Sequence, residues 1–100
     1  MKEMSIPAAA LRDPESVEML RVWIAEKSLW CSIKVGMYRE AMNASEETAW
    51  GTILADATRH IADALAKEYE ADASNTIQRI RQAFLDELAD PTSKVSGDFA

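Results

Sequence analysis

One cysteine and one histidine occur in 100 residues, with three glycines, three prolines and no long apolar run. Each shortage removes a class of protein. A single thiol, Cys31, cannot close an intramolecular disulfide, so nothing asks for an oxidising compartment. Paired His and Cys ligands at zinc spacing, a Gly-rich phosphate loop and a His-Glu-x-x-His helix are all missing. No stretch approaches the length of a membrane span, and the opening MKEMSIPAAALRD lacks the apolar run of a signal peptide. Positive charge is also scarce, with 11 Lys and Arg against 17 Asp and Glu for a net charge of −6. Phosphate backbones repel such a surface, which argues against nucleic acid or an anionic membrane as the main partner. The charge reads as a solubility device. The expectation is a cytoplasmic protein with no cofactor, no metal and no visible catalytic constellation.

What is present is ordinary globular composition, 48% apolar and 28% charged, enough for one domain with a modest core. Residues 1–13 read as an extended lead-in, and Asp13–Pro14 as a helix-start signal for at most a short turn. From Leu29 the chain alternates. Leu29, Cys31, Ile33, Val35 and Met37 point one way, and Trp30, Ser32, Lys34, Gly36 and Tyr38 the other. Upstream, Leu20, Val22 and Ile24 alternate with Met19, Arg21 and Trp23, so residues 17–38 are expected to form a β-hairpin.

Parity constrains that hairpin. Antiparallel partners have position numbers of constant sum, and matching an even-numbered apolar set to an odd-numbered one requires an odd sum and an even loop. Neither Gly nor Asn is available around Glu26–Lys27–Ser28 for a two-residue turn, which favours a four-residue connection. Registers that place Lys34 opposite Arg21 or opposite Trp23 both remain open.

Residues 39–47 form a loop ending in helix-start signals. Asn43 or Ser45 can cap, and Glu46–Glu47 suit the first turn of a helix over 46–69. That helix has two faces that could pack. One stripe is large and apolar (Trp50, Ile53, Leu54, Ala57, Ile61, Ala64, Leu65), and the other is small (Gly51, Ala55, Thr58, Ala62, Ala66). Small residues at this spacing let another backbone approach closely, so neighbours are expected on more than one side. A second helix over 75–89 turns Ile77, Ile80, Phe84, Leu85 and Leu88 inward, and Asp90–Pro91 ends it. The tail, 91–100, shows no pattern and is expected to be mobile.

The expected fold class is therefore α+β, an antiparallel hairpin followed by two helices (ββαα) packed on one sheet face. A lone hairpin is marginal and has two open edges. Its other face carries Trp23, Trp30 and Tyr38, unusually aromatic for a surface. A homodimer that completes the sheet or buries these aromatics answers both problems, which makes the three residues interface candidates.

Three features could carry chemistry. Asp56, Arg59 and His60 lie within one turn of the long helix, so a carboxylate could orient the imidazole while Arg59 holds an anion. His60 also sits at the edge of the apolar stripe, where a structural histidine is at home. Cys31 falls on the apolar strand face, which favours an inert thiol over a nucleophile. The aromatic sheet face could hold a flat ligand or a protein partner.

The strings LRVWIA, CSIKVGMY and AWGTILADATRHIADAL resemble a family of small bacterial proteins classed as a domain of unknown function. Its marks fall here at Trp23, Gly36, Trp50–Gly51, Leu54–Ala55–Asp56 and Arg59–His60, and the likeness spans roughly Pro14 to Pro91. The resemblance implies bacterial origin and a compact α+β fold. It brings no activity, cofactor or catalytic residue. Two readings follow from the residues: a non-enzymatic homodimeric interaction or regulatory module, and a protein that binds an anionic small molecule, or an enzyme, using Asp56, Arg59 and His60.

Overall fold

A computed structural model describes residues 1–100. The order is α1 (Ala8–Arg12), β1 (Leu20–Ala25), β2 (Ser28–Ile33), a π-turn (Met37–Ala41), α2 (Glu46–Tyr69), α3 (Ala73–Ala89) and β3 (Val95–Phe99). The α+β class and the hairpin-then-helices order are those expected from the sequence. Two additions are not. A single helical turn, α1, interrupts the lead-in, because Pro7 precedes a run of alanines and fixes the entry angle. Asp13 ends that turn and then accepts a hydrogen bond from the Glu15 N–H (2.9 Å), so Asp13–Pro14 makes a turn rather than a helix start.

The second addition is β3, which pairs in parallel with β2 and makes a three-stranded sheet of order β1-β2-β3. The tail is thus ordered. Its register sets Val95 beside Leu29, Gly97 beside Cys31 and Phe99 beside Ile33, all on one face. Gly97 hides this alternation in the sequence, yet the position needs glycine. Its φ is +139°, and a Cβ there would run into the Cys31 backbone.

The hairpin loop is two residues long rather than four. Ala25 pairs with Ser28, and Glu26 and Lys27 both take positive φ (52° and 61°), as a primed turn demands. Left-handed geometry at two non-glycine residues costs about 1–2 kcal/mol each. The six-pair register offsets it by joining Val22 to Cys31, Ile24 to Leu29 and Trp23 to Trp30. Arg21 lies opposite Ser32 and is free to pair with Glu18 (2.8 Å) and Glu3 (2.7 Å) instead. β2 stops at Ile33, so Tyr38 leaves the sheet and enters the π-turn.

Ser45, not Asn43, caps α2, its hydroxyl accepting from the Thr48 N–H (3.1 Å). Glu70 in the left-handed region closes α2, and Asp72 caps α3 by accepting from the Asn75 N–H (3.1 Å). The helices thus form a tight antiparallel pair. Ala62 of the small stripe is fully buried, with Thr58, Leu65 and Ala66 half-buried beside it, so this stripe marks the seam with α3. Of the large apolar stripe, Trp50, Ile53 and Leu65 are half-buried, while Leu54, Ala57, Ile61 and Ala64 are left over, Leu54 38% and Ile61 48% exposed.

The sheet and the helical pair do not cover each other. β1 packs with β2, β2 with β3, and α2 with α3 and the π-turn, while neither long helix approaches the sheet. Ala62 is the one buried residue in the chain. The accessible surface is 8683 Å², where a compact monomer of this mass exposes about 5,700 Å². The radius of gyration is 15.4 Å, against about 13 Å for a compact domain of this length.

Candidate functional site

Asp56, Arg59 and His60 stand on the outer surface of α2. Arg59 and Asp56 form an ion pair one turn apart, with side chains 62% and 58% exposed. The carboxylate therefore serves the guanidinium rather than the imidazole, and His60 is exposed. Two open surface grooves lie elsewhere. An open one of about 610 Å³ runs between the hairpin turn and the segment after α3, lined by Ile24, Lys27, Leu29, Pro91, Ser93 and Lys94 among others. A second, of about 280 Å³, lies at the start of α2 between Arg39 and Glu47. No cluster of His, Cys, Asp and Glu side chains converges as a metal site would require.

Trp23 and Trp30 sit directly across from one another on one sheet face, and the Trp30 indole N–H donates to the Ala25 carbonyl (3.0 Å). Arg21 shares this face. Its pairing, chiefly with Glu18 and also with Glu3, raises the guanidinium pKa further and draws the N-terminal arm toward the aromatics. Tyr38 is half-buried and apart from the pair, in the π-turn.

The opposite face combines Leu20, Val22, Ile24, Leu29, Cys31, Ile33, Val95 and Phe99 by strand parity and register. Ile24 is 76% exposed and Phe99 75%. Cys31, a free thiol, lies half-buried at its centre. A matching surface stands on the helices, where Ile61, Phe84, Leu85 and Leu88 are exposed. These two apolar surfaces dominate the molecule's chemistry, and both want a cover.

Two carboxylates missed by sequence reasoning fasten the crossings between the layers. Glu46 accepts backbone N–H groups from Gly36 (2.9 Å), Tyr38 (2.9 Å) and Arg39 (3.1 Å), tying the π-turn to the first turn of α2. The Gly36 N–H, with those of Arg39 and Tyr38 and a contribution from Trp50, holds its carboxyl below the ordinary range. Gly36 enters this knot at φ +93° with the Glu40 side chain close against it. At the other crossing, Glu87 accepts from the Thr92 hydroxyl and the Thr92 N–H (3.1 Å), which lowers its pKa likewise. Glu46 is visible in the sequence only as a favourable first-turn acid, and nothing in the sequence singles out Glu87.

The sequence profile of the Domain of unknown function (DUF5076) matches residues 3–92. No curated protein matches the chain. Among solved structures it is similar to one described as that of a "putative pyruvate dehydrogenase" from the photosynthetic bacterium Rhodopseudomonas palustrus CGA009. The TM-score is 0.68 at 24% identity, over 94% of this chain and 90% of that one. At that identity the likeness establishes the fold alone.

Proposed function

Since the chain belongs to the DUF5076 family, whose description carries no activity, we propose from its own geometry that it is a non-enzymatic homodimeric module acting through protein contacts. The observation that carries this reading is the pair of apolar surfaces, one on the sheet and one on the helices, that the chain itself leaves uncovered. The excess surface is about 3,000 Å² per chain, and obligate dimers bury 2,000–5,000 Å² or more in total. Association is the physical remedy for apolar faces left this exposed. Once those surfaces are covered, the Trp23–Trp30 face and the acidic outer helices remain to meet a protein partner. The single thiol and the acidic surface fit a cytoplasmic setting, and no helix is long and apolar enough to cross a membrane.

Light scattering at micromolar concentration tests the proposal, with twice the chain mass expected. A clean monomer overturns it. Nothing in the arrangement of Asp56, Arg59 and His60 favours the second reading, of an anionic-ligand site, over this one.

A further inference from the structure

Resting on the homodimer reading above, we infer that the two copies associate by reciprocal exchange: the apolar sheet face of each protomer seats on the exposed apolar stripe of its partner's α2–α3 pair. The occupant of each surface is therefore a second copy of this chain, and the dimer contains the same sheet-on-helix layer twice.

Three observations lead there. The first is complementarity within one chain. Layered α+β domains cover a sheet face with helices, and this chain has one uncovered sheet face and one uncovered helical face of comparable chemistry. A sheet-to-sheet dimer would satisfy the strands and leave Leu54, Ile61, Phe84, Leu85 and Leu88 wet. A helix-to-helix dimer would leave Val22, Ile24, Val95 and Phe99 wet. Only exchange covers both.

The second is area. Exchange removes two separate layers of apolar contact per dimer, which suits the roughly 3,000 Å² by which each chain exceeds a compact monomer. One strand-edge pairing would remove far less.

The third is the fastening of both crossings between the layers. The sheet reaches α2 through the π-turn, which Glu46 ties down with three backbone hydrogen bonds. It returns from α3 through Thr92, which Glu87 ties down with two. Only residues 34–35 and 93–94 lie between these fastenings and the strands, which leaves the sheet little reach to fold back over its own helices, so the cover comes from elsewhere. Closed two-fold symmetry then makes the exchange mutual rather than an endless chain.

The native thiol supplies the test. Cys31 lies at the centre of the sheet face, and Ala57 and Ala64 are small, exposed positions on the apolar stripe of α2. Ala57→Cys, Ala64→Cys and, on α3, Phe84→Cys are each treated with a short bismaleimide, with light scattering on the untreated samples. Lys67→Cys, on the wet face, is the control, and every variant is repeated with Cys31→Ser. Exchange predicts a shift of most of the protein to twice the chain mass for at least one stripe variant, abolished by Cys31→Ser and absent in Lys67→Cys. The two alanine sites change volume little, so a failure of Phe84→Cys to fold leaves the test standing. A dimer in which Cys31 couples to its own counterpart, or to no stripe thiol, overturns the exchange and leaves the homodimer intact. Coupling within a chain that scatters as a monomer overturns both.

Discussion

Replacing Ile61 with alanine separates an assembled chain from a solitary one. In the protomer Ile61 is 48% exposed. Truncation there gives up about half the transfer free energy of an isoleucine, roughly 1 kcal/mol. Alanine's higher helix propensity returns about 0.4 kcal/mol of that. A solitary chain should therefore lose little more than half a kcal/mol. If the partner's sheet covers Ile61, the same change removes a fully buried side chain and leaves a cavity, about 2–5 kcal/mol per protomer and twice that for the dimer. Urea unfolding at protein concentrations a decade apart reads both terms. A two-state dimer gains about 1.4 kcal/mol per tenfold concentration, so the wild-type midpoint should rise with concentration, and Ile61→Ala should lower it at each. Concentration-independent midpoints together with a loss below about 1 kcal/mol would refute the reasoning.

Other consequences are as concrete. Gly97→Ala should detach β3, because its Cβ meets the Cys31 backbone, and amide exchange across residues 95–99 should rise to that of unstructured chain while α2 stays protected. Glu46 and Glu87 have folded pKa values depressed below the ordinary 4.5, so their contribution is present above that value and disappears as pH falls through the folded pKa. Thermal midpoints should be flat from neutral pH to about 5 and decline below it, and Glu46→Gln with Glu87→Gln should flatten the decline. Asp56→Ala should change stability by less than about 1 kcal/mol, since its partner Arg59 is mostly exposed. His60→Ala should leave assembly unchanged, whereas Trp23→Ala should weaken the hairpin and with it the proposed dimer, read by light scattering.

The hairpin and both long helices were legible because local periodicity decides them, and Ser45 was one of two caps the sequence offered for α2, whereas the Asp72 cap of α3 was not read. The two-residue turn was not. Glu26 and Lys27 carry no positive-φ signature, and only the summed pairing of the strands, Trp23 with Trp30 above all, holds them there. β3 was missed for a related reason, because its single partner lies far back in the chain and a glycine interrupts its short alternation. The small stripe on α2 correctly announced a close neighbour, and Ala62 shows where α3 lies. The Asp56–Arg59–His60 string looked like chemistry because its spacing is right for it, but spacing says nothing of the cavity that chemistry needs. Glu46 could not have been found, since its partners are backbone amides of a turn that no side-chain pattern records, and Glu87 meets the Thr92 hydroxyl and amide only because the chain turns back after α3.

The parallel pairing of β2 with β3 has a kinetic consequence. The hairpin and the helical pair are built from near neighbours in sequence and can form within microseconds. Joining β3 to β2 closes a loop of about sixty residues, at an entropic cost of roughly 4 kcal/mol that no local contact offsets. Until that closure, the far edge of β2 is a bare row of amides flanked by Leu29, Cys31 and Ile33. The strand that arrives last is thus the one that shields the centre of the sheet from pairing with the wrong chain.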